Sequence, residues 1–364
     1  MGLRFTGSGS EYFRIWIVNL LLTLLTLSLY WPFARARRMV YFHKNTLVGS
    51  DALGFHADPW KMFRGYLLVL VLGGTYSAVS TFVPELAWLP LLVLAVLWPV
   101  LWRSSLMFRL RNTSWRGVRF EFEGSLRGAY GVMLPLFIPI LVLVAAGALA
   151  EAPEVAQATW LKSLLVLAVI TALVFFLVFP WLMARMHAFQ HSGYVFTAQR
   201  TALAQGKITG PLYLIGLKLT GMVLALSLVA GGIAALLGFG AGPLVVFGVF
   251  GLIYLAFPLV LLPYFKTRVQ NLLWGNTRSE QLIIHSKLRF RDMFMVNLEN
   301  WLLIVLTLGL YWPFAAVRSA RVRLEAMAIE VHGDVNSWVA NAPQQQAGVL
   351  GDAAGDFFGV DMGL

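Results

Sequence analysis

The sequence predicts an all-α integral membrane bundle of six to eight transmembrane helices, internally repeated, with short cytoplasmic β-strands and hairpins between helix pairs. Three observations predict it. Of 364 residues, 59% are hydrophobic and only 12% charged, where soluble domains carry roughly 25% charged residues. Apolar stretches of the roughly 20 residues that a helix needs to cross a bilayer recur along the chain. The pentapeptide Leu-Tyr-Trp-Pro-Phe occurs twice, at Leu29–Phe33 and Leu310–Phe314.

The apolar stretches lie at about Ile15–Phe33, Met62–Phe82, Leu86–Leu106, Ala129–Ala150, Trp160–Met183, Leu212–Leu237, Leu244–Phe265 and Phe294–Phe314. Helices satisfy their own backbone in lipid, so a bundle is expected rather than a barrel. Cysteine is absent, which excludes a disulfide framework and thiolate metal sites. Ala34-Arg35-Ala36 is not a signal cleavage site: the preceding run is too long, and its second copy stands near the C-terminus.

The net charge of +11 is concentrated in alternate connections. Segments 34–64, 103–127, 183–209 and 266–291 hold most of the Lys and Arg, whereas the connections near Pro84-Glu85, Glu151–Gln157 and Gly238–Gly242 hold none. The positive-inside rule makes the basic connections cytoplasmic. Segments two and three, four and five, and six and seven then form hairpins.

Residues 19–37 and 300–318 are identical at 13 of 19 positions, and matching segments belong in matching environments. Six crossings between them give full spans opposite directions. Two arrangements remain: eight full spans, or terminal segments that break near Ser28 and Gly309 and return to the cytoplasmic side. At 1.5 Å per residue, a 20-residue hairpin reaches only part-way across.

A weaker unit follows each hairpin. Counted from Pro32, Arg37 stands at +5 and Asn45-Thr46 at +13 and +14; Arg268 and Asn276-Thr277 stand at the same offsets from Pro263. Asn112-Thr113 keeps the spacing from Pro99, Arg185 from Pro180, and Arg318 from Pro313. After these turns the pattern alternates, which predicts strands at Val118–Glu123, Leu288–Arg291, Leu3–Thr6 and, more loosely, Leu53–Phe55. Strands from successive units are expected to pair into a small cytoplasmic sheet. The domain prediction is one membrane domain, 1–340, of modules about 3–58, 59–125, 126–205, 206–292 and 293–340. An acidic, disordered tail is expected over 341–364.

The Thr-Leu-Ser/Gly-Leu-Tyr-Trp-Pro-Phe-Ala-x-x-Arg pattern at 26–37 and 307–318, with the Asn-Thr turns and strand ends, resembles the YjgN-like family of bacterial inner-membrane proteins. The resemblance runs over essentially the whole chain. It implies a multi-pass inner-membrane protein and supplies no catalytic residues.

Candidate ligand- or lipid-binding residues are Arg37, Arg185, Arg268 and Arg318, beside interfacial aromatics; Lys218, inside an apolar run; Asn19 and Asn300, at matching depth; and Glu299, which faces Val18 in the alignment. Asn19 and Asn300 suit bonding between helices. His187 and His191, at i and i+4, are a metal pair only with further ligands. No catalytic set or cofactor motif is present, so an enzyme ranks last. The expected partners are the bilayer and its anionic headgroups, not nucleic acid. The first functional reading is a transporter- or channel-like, or small-molecule- or lipid-binding, membrane protein. The alternative is a structural or regulatory protein that recruits a partner through its strands and tail.

Overall fold

The computed structural model describes residues 1–83, 86, 88–150, 160–236, 248, 251 and 254–340. The acidic tail, the three Lys- and Arg-free connections and much of Leu244–Phe265 lie outside the described residues. Among the described residues five helices are long and apolar enough to cross a membrane: α3 (Pro59–Phe82), α4 (Trp88–Arg111), α5 (Leu126–Ala150), α6 (Trp160–His191) and α7 (Gln205–Leu236). Their outward residues, such as Leu165, Phe176, Leu177, Leu217 and Leu228, are exposed. Lipid is the solvent that such surfaces suit.

Two shorter helix pairs stand at the ends of the chain: α1 (Gly9–Leu25) with α2 (Trp31–Lys44), and α9 (Phe290–Leu306) with α10 (Trp312–Glu325). Helix α8 (Leu262–Asn276) precedes the second pair. Each helix packs on the next, and α10 returns to pack on α1.

Among the described residues nine short strands run between the helices: β1 (Leu3–Phe5), β2 (Thr46–Val48), β3 (Asp51–Phe55), β4 (Thr113–Trp115), β5 (Val118–Phe122), β6 (Tyr194–Phe196), β7 (Gln199–Arg200), β8 (Leu282–Ser286) and β9 (Met327–Val331). The first seven form an antiparallel meander, and β8 pairs with β9. Register is set by pairs such as Leu3 with Val48, Leu53 with Trp115 and Phe120 with Phe196. Isolated bridges join the two sheets at both ends. Ala202 pairs with Arg278 and Arg278 with Ile283, while Gly2 pairs with Ala328. The described strands therefore close into a ring, which removes the open edges that invite aggregation. Tight turns need positive φ: Arg116 and Gly117, at 49° and 81°, suit a two-residue hairpin.

Alternate strand residues converge inside the ring. Leu3, Val48, Leu53, Trp115, Val118, Phe120, Phe196, Ile329 and Val331 share one cluster with Val335, Trp338 and Val339 of the short helix α11 (Val335–Ala340). Helix α11 caps the mouth formed by the hairpin turns, away from the long helices. Arg116 in one turn donates to Asn336 at 3.0 Å and pairs with Asp51 at 2.6 Å. That guanidinium holds the Asp51 carboxyl below its ordinary range. The residues that end strands on the helix side point the other way: Phe122 lies among Trp102, Leu106, Ala129 and Met133.

The Asn-Thr pairs have a physical role. Asn45, Asn112 and Asn276 donate from Nδ2 to the carbonyls of Tyr41, Phe108 and Leu272, and Thr46, Thr113 and Thr277 donate to Phe42, Arg109 and Leu273. These side chains bond the last carbonyls of each helix just before the chain turns into the ring, the Tyr41 and Phe108 carbonyls also accepting from Asn45 N and Asn112 N.

The strand expected at Leu288–Arg291 is not one. Asn271 accepts from Leu288 N and donates to Leu288 O, taking both groups that a ladder needs, and Phe290 begins α9. The strand stands earlier, at Leu282–Ser286.

The terminal pairs break where the duplicated segments predict. Leu27 and Ser28 have φ of 48° and 73°, and Leu308 and Gly309 have 50° and 92°. Ser28 N donates to Thr23 O and Gly309 N to Ile304 O, both at 2.8 Å, which closes equivalent helix caps. Thr26 and Thr307 then accept from Tyr30 N and Tyr311 N, both at 2.9 Å. Each pair leaves the ring and returns to it, with apolar tips exposed at Leu25, Leu27, Leu306 and Leu308. Gly309→Val is expected to cost about 1–2 kcal/mol, since a β-branched residue resists the left-handed region. Ser28→Gly is expected to be neutral or slightly stabilising. Thermal unfolding in detergent distinguishes the two, and equal stability of both variants would contradict the turn geometry.

Candidate functional site

Helix geometry places the four recurring arginines at the strand side of four different helices. Arg37 on α2 lies 5.7 Å from the centroid of Tyr30, Arg185 on α6 5.4 Å from Trp181, and Arg268 on α8 5.5 Å from Tyr264. Stacking of this kind fixes a guanidinium while leaving its N–H donors at the rim available. Arg318 on α10 differs: it is paired with Glu299 and donates to the Tyr311 hydroxyl at 3.3 Å.

Asn19 and Asn300 are buried at matching positions and tie the two arms of their hairpins together. Asn19 donates to Ala34 O at 3.5 Å, and Asn300 to Ala315 O at 3.3 Å and Ser319 Oγ at 3.2 Å. Lys218 is exposed on α7. His187 and His191 stand with ring centroids 6.3 Å apart, and His191 Nδ1 shares a hydrogen bond with Thr277 Oγ1 at 2.9 Å. Among the described residues no group of three metal-ligating side chains forms.

The structure gathers one set that the candidate list held only in part. A cleft of about 530 Å³ opens between α1, α2 and the start of α3. Arg14, Arg37 and Lys44 line it, with Ile15, Val18 and Val40 as an apolar wall. A volume of this size suits a small ligand. No carboxylate is among its lining residues. The two nearest in sequence are already hydrogen-bonded: Glu11 accepts at 3.2 Å from the hydroxyl of Tyr41, itself a lining residue, and Asp58 caps α3 by accepting from Trp60 N at 2.9 Å. Arg14 and Lys44 were absent from the candidates because neither carries a motif. Their signal is the aligned partner, which is Met295 for Arg14 and Glu325 for Lys44.

Comparison with known proteins adds the following. A family profile described as "Bacterial protein of unknown function (DUF898)" matches residues 1–357. Inner membrane protein YjgN of Salmonella typhimurium is 32% identical over 144 residues, which cover 39% of this chain and 36% of that protein. The proteins of the same name from Escherichia coli O157:H7 and K12 are 31% identical over the same length and shares. The chain thus matches about a third of the length of these relatives. No solved structure matches.

Proposed function

Since the chain belongs to the DUF898 family of bacterial proteins of unknown function and is an inner-membrane protein, we propose that it binds anionic lipid headgroups at the cytoplasmic face through its belt of arginines. In this reading the strand ring lies on the cytoplasmic side, beneath the basic connections. Both terminal pairs dip into the bilayer and return, and the chain is a circular array of related helix pairs. The observation that carries the reading is the environment of Arg37, Arg185 and Arg268, each resting on an aromatic ring rather than on a carboxylate. A cation so held at headgroup depth attracts anionic lipid, by roughly 1 kcal/mol per residue. Of the first class of function read from the sequence, binding rather than conduction is what these residues support.

Lipid extracted from the purified full chain tests the proposal. Anionic lipid is expected at several-fold enrichment over the bulk membrane, reduced in the Arg185→Gln/Arg268→Gln variant. A lipid composition equal to the bulk would overturn it.

A further inference from the structure

The two terminal hairpins share a backbone but not a charge pattern, and positions that line the cleft are among those that differ. With residues aligned at an offset of 281, Arg37 matches Arg318, Val18 matches Glu299, Arg14 matches Met295 and Lys44 matches Glu325. In the second hairpin Arg318 is neutralised by Glu299. The position equivalent to Lys44 carries an acid, Glu325, whose Oε1 accepts from Phe5 N at 3.4 Å. In the first hairpin Val18 replaces that carboxylate and forms part of the apolar wall, so Arg37 keeps its charge. Two further cations join it in place of a neutral residue and an acid. At the cleft positions the first hairpin carries three cations and no acid, whereas the second carries Arg318 and Arg321, the latter at the place of Val40, against Glu299 and Glu325.

Resting on the lipid-binding reading above, we propose that the cleft between α1, α2 and α3 is a discrete site for one anionic phospholipid. Its phosphate lies among Arg14, Arg37 and Lys44, and an acyl chain runs along Ile15, Val18 and Val40 towards the hairpin tip. The second hairpin is its silent structural counterpart. Three cations exceed what a zwitterionic headgroup balances, and Arg offers a fork that matches phosphate oxygens. The wall continues into the exposed apolar side chains Leu21, Leu24 and Leu25. A free phosphate has no use for that continuation, whereas an acyl chain does.

Native mass spectrometry of the full chain released from nanodiscs tests this, with phosphatidylglycerol in one arm, phosphatidylcholine in another, and inorganic phosphate as competitor. Val18→Glu places in the first hairpin the carboxylate that the second already accommodates, at a half-exposed position, and Lys44→Gln is an independent surface change. Each is expected to lower retention of the most tightly held phosphatidylglycerol at least tenfold, while Arg185→Gln/Arg268→Gln leaves that molecule in place. If the wild-type chain shows no preference for the anionic lipid, the belt reading itself falls. If it prefers phosphatidylglycerol but Val18→Glu and Lys44→Gln retain the tight molecule undiminished, the cleft is not the site and the belt stands. Displacement by inorganic phosphate at concentrations that saturate the headgroup would replace the phospholipid with a free anion.

Discussion

A chain ending after Ala326 is expected not to accumulate as folded protein, whereas one ending after Ala340 is expected to be as stable as the full chain. The shorter chain loses β9, which pairs with β8 over five residues and holds β1 through Gly2 and Ala328. It also loses α11, leaving Trp115 and Phe196 without their cover. Ile329, Val331, Val335, Trp338 and Val339 all leave the ring interior. At about 1.5–3 kcal/mol per fully buried aliphatic side chain, discounted for partial exposure, their loss is on the order of 5 kcal/mol or more. That rivals the whole stability margin of about 5–15 kcal/mol of an ordinary domain. Size-exclusion profiles of fluorescent fusions read the outcome. Equal monodisperse peaks from both truncations would show that ring closure is dispensable.

Phe122→Ala is expected to destabilise the protein by about 3–5 kcal/mol, the range for deleting a large buried ring. Phe122 is the joint between ring and membrane helices. It ends β5, meets Phe189 edge-on at 5.8 Å and Tyr194 at 6.4 Å, and lies against Trp102 and Met133. A Cβ at Gly124 or Gly193 would run into its ring, so the backbone on two sides is already as close as glycine allows. Tyr194, in the same cluster, has its hydroxyl pushed up to about 12 by burial. Surroundings held by two glycine contacts and three helices cannot collapse to fill the void. Denaturant titration in detergent measures the loss. A change below about 1 kcal/mol would mean that the joint is carried elsewhere.

Much of this architecture was legible because its determinants are local. Twenty apolar residues announce a helix regardless of neighbours. Breaks near Ser28 and Gly309 were one of two arrangements that the charge of the flanking loops left open, and the backbone at both places adopts that one. Val118–Phe122 announced itself by alternation. What failed was also instructive. Leu288–Arg291 alternates as well as Val118–Phe122 does, but Asn271 captures its backbone from another helix. Strands of two or three residues, such as Gln199–Arg200, are too short to carry a period. Closure of the ring depends on Gly2 meeting Ala328, and nothing near either residue encodes a partner so distant. In the candidate site, Arg37 was found by its repeated offset from proline. Arg14 and Lys44 become visible only when the two hairpins are compared for what differs between them.

Ring closure also sets a clock. Strand β1 is synthesised before the other described strands and pairs early with β2, but its other neighbour is β9, more than 300 residues later. At 5–20 residues per second, the ribosome needs roughly 15–65 s to deliver that partner. For that interval one side of β1 is an unpaired edge beside a membrane filling with helices. The seam between the two ends of the chain is therefore the last to seal, and nascent chains stalled before β9 are the ones that quality-control proteases should find.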